Sequence, residues 1–193
     1  MKAFLIRAYD LVILILGLPF VLLFVVMGRL SIRMGAYSDL SVLVSKIPFR
    51  YGELIRYYYY KFTLEKLGTD VTFRYGSFCQ YPSARIGNRV LFGYYVAIGE
   101  VEIGDDVVVG GFVNFLSGTN QHSFDDPFQP ISTQKAAGRS RINIGSDVWI
   151  GSNAIIAANV GNRCVVGTGS VLIKPAENNT VSGGNPARII KQI

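Results

Sequence analysis

One histidine and two cysteines are all that this 193-residue chain has of the side chains that most often hold metal ions. A site that needs several imidazoles around one ion is therefore excluded. Cys79 and Cys164 are too few for a disulfide framework or a zinc cluster, and Cys164 falls where a small buried side chain is expected. Runs of basic residues interleaved with aromatics are lacking outside the N-terminal third, which counts against nucleic acid as a partner. Acidic side chains are the scarcer charges. With 13 Asp and Glu against 19 Lys and Arg, the formal charge of +6 favours anionic lipid surfaces or phosphate-rich ligands.

What is present is a repeat. From Ile86 to Ile173 the chain restates a six-residue phrase: an aliphatic residue, a small one, two variable positions, a small or aliphatic residue and a spacer. It occurs eight times, for example in Ile86-Gly87-Asn88-Arg89-Val90, Ile103-Gly104-Asp105-Asp106-Val107 and Val109-Gly110-Gly111-Phe112-Val113. A unit this short cannot bury its own apolar face, so successive units must stack and share one core. The phrase predicts a mainly β solenoid with three sides to a coil, the aliphatic residue pointing inward and the small residue turning the corner. An ordinary antiparallel domain with glycine turns has no reason to keep a six-residue phase.

Charge is missing altogether from Leu11 to Met27, a 17-residue run preceded by Lys2, Arg7 and Asp10 and followed by Arg29 and Arg33. A membrane-embedded helix is expected over residues 1–34. The run reaches about 25 Å, against roughly 30 Å of hydrocarbon, and Pro19 is expected to kink it. It either spans the bilayer or dips into one leaflet and returns. A cleaved signal peptide is the competing reading, but the run is long for one and no small-residue cleavage pattern follows before Arg29. Positive charge after the run (Arg29, Arg33, Lys46, Arg50) exceeds that before it (Lys2, Arg7), which places the solenoid on the cytoplasmic side.

Residues 35–69 are expected to hold a polar link, Gly35 to Lys46, and then an amphipathic helix within Phe49 to Leu67. Leu54, Ile55, Tyr58 and Phe62 recur there at helical spacing among Arg50, Arg56, Lys61 and Lys66, with four consecutive tyrosines, Tyr57 to Tyr60. Such a helix suits a membrane interface, rings at headgroup level and basic groups on anionic lipid. It can equally cap the open end of the solenoid, and one helix can do both.

The repeat breaks after Asn114 and resumes at Ile142. The intervening loop, about 115–141, holds the one histidine in Gly118-Thr119-Asn120-Gln121-His122-Ser123. A long loop in a compact solenoid is usually functional.

That loop histidine, followed by Ile144-Gly145-Ser146-Asp147-Val148-Trp149-Ile150-Gly151-Ser152, Val166-Gly167-Thr168-Gly169-Ser170-Val171 and Gly183-Gly184-Asn185-Pro186-Ala187-Arg188-Ile189-Ile190, resembles the hexapeptide-repeat acyltransferases. The likeness is to the maltose, galactoside and polysaccharide O-acetyltransferases in particular, and covers residues 70–193. It implies a left-handed parallel β-helix, an exception to the right-handed crossover rule. It also implies a homotrimer with acetyl-CoA lying between neighbouring prisms, and no metal.

Carried over by this resemblance, His122 is the general base that takes the proton of an acceptor hydroxyl, a task suited to a side chain neutral near pH 7. Ser152 matches the position at the thioester end of CoA. Thr168 and Gly169 match the pantetheine arm, with Ile173 and Lys174 beside it. Arg188 and Lys191 match the basic pair at the nucleotide phosphates. Trp149 matches a tryptophan beside the same site, or packs. Tyr94, Tyr95, Glu100 and Asn114 are the candidates for acceptor binding. The asparagine that binds sugar in the soluble relatives has no counterpart in Phe92-Gly93-Tyr94-Tyr95-Val96-Ala97, which argues against a soluble disaccharide. The unit at Ile156 is shortened to Ile156-Ala157-Ala158-Asn159, so the coil there must be tight. Glu100, Glu102, Asp125, Asp126 or a backbone carbonyl orients the histidine.

Anchor and resemblance together point to an O-acetyltransferase on the cytoplasmic side of a bacterial inner membrane, with membrane lipid and a lipid-linked glycan as partners. An N-acyltransferase acting on an amino sugar and a non-catalytic membrane scaffold are the alternatives.

Overall fold

From Lys66 onward each short strand ends on a side chain that has nowhere to hide except between coils. The structure, a computed structural model, describes residues 2–118, 122, 123, 125–135 and 138–193, with side chains from residue 17. Three sheets result. Sheet A takes Lys66–Leu67, Arg85–Ile86, Val101–Ile103 and Ile142–Ile144. Sheet B takes Thr72–Phe73, Leu91–Phe92, Val107–Val109, Val148–Ile150, Val165–Val166 and Thr180–Gly184. Sheet C takes Phe78–Cys79, Ala97–Ile98, Asn114–Phe115, Ile155–Ile156 and Val171–Leu172. Pairing within each is parallel until Ala187–Gln192 folds back antiparallel on Thr180–Gly184. The chain visits A, B and C in turn, so the solenoid is a three-sided prism with edges A–B, B–C and C–A.

Ile86, Ile103 and Ile144 of sheet A meet Phe92, Val109 and Ile150 of sheet B and Ile98, Phe115 and Ile156 of sheet C in one buried core. Full burial of such a side chain stabilises by roughly 1.5–3 kcal/mol, and only stacked neighbours provide it. Burial pushes the Cys79 thiol up, as befits an inert core thiol. Hydrogen-bonded partners in successive coils lie 19, 17, 41 and 16 residues apart. The long step contains the loop. The short one follows from the abbreviated corner after Ile156, beyond which Val160 and Ala176 join sheet A only through isolated bridges.

The phrase's variable positions have work to do at the A–B edge. The N–H of Asn88 donates to Asp105 Oδ1 (2.7 Å), that of Asp105 to Ser146 Oγ (3.0 Å), that of Ser146 to Asn162 Oδ1 (2.8 Å) and that of Asn162 to Asn178 Oδ1 (2.7 Å). Corner N–H groups without strand partners must find acceptors, and these side chains are the acceptors. The backbone and side-chain bonds from Asn88 hold the Asp105 carboxyl below the usual range.

Glycine at the corner is a matter of clearance between coils. A Cβ on Gly93 would lie 2.6 Å from the carbonyl carbon of Gly110 in the next coil, whereas one on Gly111 would come no closer than 3.3 Å to Tyr94 O. Gly93→Ala is therefore expected to cost about 1–3 kcal/mol and Gly111→Ala less than 1. Thermal unfolding of the two variants side by side checks this; equal melting points would contradict it.

Three helices precede the solenoid: α1 (Lys2–Met34), α2 (Tyr37–Ser45) and α3 (Phe49–Thr63). Helix α1 runs without interruption through Pro19, and its Gly17–Met34 window is long and apolar enough to cross a membrane by length and composition. Helix α2 occupies what reads as a polar link. Tyr37, Leu40 and Val44 supply a buried stripe at spacings of three and four, and Ser41 Oγ lies 3.3 Å from the Tyr59 hydroxyl.

Helix α3 ends earlier than the pattern suggests and is built into the protein. Tyr59 and Tyr60 are buried; Tyr60 packs on Phe73, which stacks on Phe92, so α3 closes the open end of the solenoid. The reading of Arg56 as a lipid-facing cation is corrected. It is fully buried, and its Nε donates to Phe73 O (2.9 Å) and its Nη1 to Ile47 O (2.8 Å) and Ser45 O (3.3 Å). Those carbonyls lie beyond the reach of strand or helix ladders, and a guanidinium fork collects them.

Candidate active site

The loop leaves sheet C at Phe115 and rejoins sheet A at Ile142, so it springs from the C–A edge. Its neck is closed by the Ser140 N–H donating to Ser117 O (3.0 Å) and by Ser117 Oγ accepting from the Glu100 N–H (2.9 Å). Arg141 clamps the returning chain: its Nη2 donates to Ser83 O (2.8 Å), Glu100 Oε1 (3.1 Å) and Glu65 Oε2 (3.1 Å). Gly118 has φ +86°, and a Cβ there would run into Ser140 Oγ, so only glycine turns the chain out of the coil here.

His122 lies on the exposed part of this loop. Gln129 to Gln134 fold back on Asp126 through a short 3₁₀ turn, Ile131–Thr133. Gln134 is the organiser: its Nε2 donates to Asp126 O (2.8 Å) and Gln129 O (3.0 Å), and its Oε1 accepts from the Asp126 N–H (3.1 Å). Nothing in the local sequence marks it. The motif residues Thr119, Asn120 and Gln121 lie outside the described residues.

The four carboxylates considered as partners of His122 are all engaged elsewhere. Glu100 accepts from Ser83 Oγ (2.6 Å) and Arg141, and Glu102 from Arg85 (3.3 Å). Asp125 accepts from Ser123 Oγ (2.9 Å), and Asp126 Oδ1 from the Phe128 N–H (2.9 Å) across Pro127, an Asx turn.

The remaining candidates divide between two edges of the prism. Tyr94 and Tyr95, Ser152, and Thr168 and Gly169 follow sheet-B strands of successive coils and so stack along the B–C edge. The Gly169 N–H donates to Ser152 O (2.9 Å), and Gly169, at φ +69° with open space around it, leaves the backbone accessible. Glu100, Ile173 and Lys174 instead sit at the C–A edge with the His122 loop, and Asn114 opens its sheet-C strand between the two edges. Within one chain the width of sheet C separates Glu100 from Tyr94 and Tyr95. Arg188 pairs with Gly183 at the B–C end of the last strand, and Lys191 with Val181, about 7 Å back toward the A–B edge.

Trp149 points outward from sheet B, 56 % exposed, between Val108 and Val165 in a column that includes Leu91 and Val181. An apolar column on the outside of a prism is unusual for a surface. Elsewhere a groove of about 920 Å³ follows sheet A past Asp105, Ser146, Asn162 and Asn178; of the candidates above only Glu102 lines it. Among the described residues no three His, Cys, Asp or Glu side chains gather into a metal site.

With this geometry in hand, the model for the hexapeptide repeat of succinyl-transferase matches residues 83–111 and 141–174, the two stretches of coil on either side of the loop. The fold of a maltose O-acetyltransferase from Clostridium difficile 630 superposes with a TM-score of 0.69 at 25 % identity, covering 81 % of this chain and 84 % of that one. The chain is thus similar in repeat and fold to hexapeptide-repeat acetyltransferases. A galactoside acetyltransferase solved in complex with coenzyme A shares the fold, with a TM-score of 0.71 at 22 % identity over 86 % of this chain and 82 % of that one. The coil is thus of the left-handed β-helix type. Among curated proteins, chloramphenicol acetyltransferase of Escherichia coli is 32 % identical over 109 residues, 46 % of this chain and 52 % of its own length. The chain thus matches about half of that relative.

Proposed function

We propose that the chain is an acetyl-CoA-dependent O-acetyltransferase that acts on a sugar hydroxyl of a lipid-linked glycan at the cytoplasmic face of a bacterial inner membrane. The observation that carries this reading is the interruption of the coil: a neck-locked loop that carries the one histidine outward from a repeat matched on both sides to the hexapeptide repeat of succinyl-transferase. In the proposed reaction His122 accepts the hydroxyl proton while the acceptor oxygen attacks the acetyl carbonyl. The new C–O ester bond forms, the C–S bond breaks, and the thiol leaves with the proton returned to it. Backbone N–H groups near Ser152 meet the charge that develops on the carbonyl oxygen.

The split of the candidates over two edges supports a site shared between copies. One prism's B–C edge, with Ser152 and Gly169, faces the C–A edge of a neighbour, with its His122 loop. The outward column of Leu91, Val108, Trp149 and Val165 and the exposed Phe128 of the loop provide apolar surface for that contact. A closed three-fold ring satisfies every such heterologous contact, so the unit is proposed as a homotrimer. Sedimentation of the full chain in detergent is expected to give three copies; a monomer active with acetyl-CoA would contradict the shared site.

The cofactor-binding residues fit the donor where they are open backbone or exposed cation. Arg188→Ala is expected to raise KM for acetyl-CoA by about 3–10-fold with little change in kcat, because a phosphate contact far from the thioester binds ground and transition states alike. Lys191→Ala, farther from the B–C edge, should do less. Steady-state kinetics with acetyl-CoA and acetyl-dephospho-CoA as donors checks this, since loss of the phosphate narrows the difference between the wild type and Arg188→Ala.

A further inference from the structure

We propose that a pocket at the N-terminal end of the B–C edge binds the diphosphate of a lipid-linked glycan acceptor; this deepens, and rests on, the acceptor class proposed above. The pocket, about 260 Å³, lies where the first turn of α3 meets the first two coils. Three guanidinium groups, of Arg50, Arg56 and Arg74, surround it with one carboxylate, Glu53. Glu53 accepts from Arg74 Nη1 at 2.8 Å and from Arg50 Nη1 at 3.3 Å, so its carboxylate joins two of the three guanidinium groups. Arg56 adds the second observation. Fully buried, it uses Nε and Nη1 on backbone carbonyls, while Nη2 has no hydrogen-bond partner among the described residues. A planar donor fork with a spare N–H beside two more arginines matches phosphoryl oxygens, which accept at several points and carry the complementary charge.

The position of the pocket selects a lipid-borne diphosphate. Gly17 of α1 packs against Tyr51 and Gly28 against Tyr59, so α1 and α3 run in the same direction. Residues 2–16 of α1 therefore continue beyond the end of α3 at which the pocket opens. With that half of α1 in the bilayer, the pocket sits at headgroup level. Phe49 stands at its mouth, 86 % exposed and held at φ +62°, a conformation rare for a bulky residue and typical of positions with a function.

The edge leading away from the pocket suits a glycan. Tyr75 and Tyr94 form its inner wall, and Tyr75 meets Tyr95 edge-on at 5.6 Å. Tyr95 stacks on Phe112 of the next coil at 5.2 Å and 13°, while the Lys46 ammonium lies 4.7 Å from the Tyr95 ring centre. Aromatic faces pack on the C–H faces of sugar rings. Arg74 and Ser152 follow sheet-B strands three coils apart, about 14 Å at the usual strand spacing. A short oligosaccharide held by its diphosphate spans that distance along the aromatic track.

The test separates binding from catalysis. Full-length protein in neutral detergent is titrated with a short-chain polyprenyl diphosphate by calorimetry, with inorganic pyrophosphate and phosphatidylglycerol as competitors. Wild type is expected to bind at least about 10-fold more tightly than Arg74→Gln or Arg50→Gln, with pyrophosphate competing and phosphatidylglycerol not. Both variants should melt as wild type does and bind acetyl-CoA equally well. Equal affinity of wild type and variants would overturn the proposal, as would displacement by phosphatidylglycerol, which would make the pocket a bilayer contact. A protein that binds the diphosphate as expected yet transfers no acetyl would instead sink the proposed function and leave the pocket standing.

Discussion

Replacing His122 with alanine is expected to lower acetyl transfer by about 100-fold or more, the usual scale for loss of a general base, while the fold and acetyl-CoA binding survive. The fold should survive because the loop is secured at its neck by Ser117, Ser140 and Arg141 and internally by Gln134, none of which depends on the imidazole. Asparagine at the same position retains a polar group but cannot accept and pass on the proton, so it should be as slow as alanine. Turnover of both variants, measured at saturating donor, decides the matter. A variant that kept most of the wild-type rate would remove His122 from the mechanism and favour a scaffold.

Removal of residues 2–16 is expected to lower transfer to a lipid-linked acceptor in vesicles by about 10- to 100-fold, through loss of the local concentration that a shared membrane confers. Transfer to a short soluble glycan should change little. The cut belongs before Gly17 because Val21, Phe24 and Val25 pack onto the core with α3, so deletion further along would uncover Tyr59 and damage the cap. Flotation with vesicles and activity on both acceptors, assayed on the same preparation, check the expectation. Undiminished activity on the lipid-linked acceptor would leave α1 without the anchoring role proposed for it.

The inward column of the solenoid is legible because its period is enforced at every coil: Ile86, Ile103 and Ile150 each follow the same phrase and each is buried. Leu67-Gly68-Thr69-Asp70-Val71 fits the phrase as well and extends the coil upstream to Lys66, where Arg74 and Tyr75 then disguise the next corner. Arg56 is illegible for a different reason. Its surroundings are three carbonyls brought together only by the turn before α3 and the first sheet-B strand, so a helical pattern reads it as one more surface cation. The division of the site is hidden too. Which edge a residue occupies depends on its place within a coil, and the loop's long insertion and the shortened corner after Ile156 both shift that count. The Glu100–Arg141 clamp spans such a step, which no local spacing announces.

The central claim is most directly tested by incubating the full chain with acetyl-CoA and a lipid-linked glycan and recording the mass of the glycan lipid. The account requires a gain of one acetyl mass, carried on a sugar oxygen and released by mild base, and its absence with His122→Ala. An unchanged mass, or an acetyl group found on nitrogen and stable to base, would contradict it.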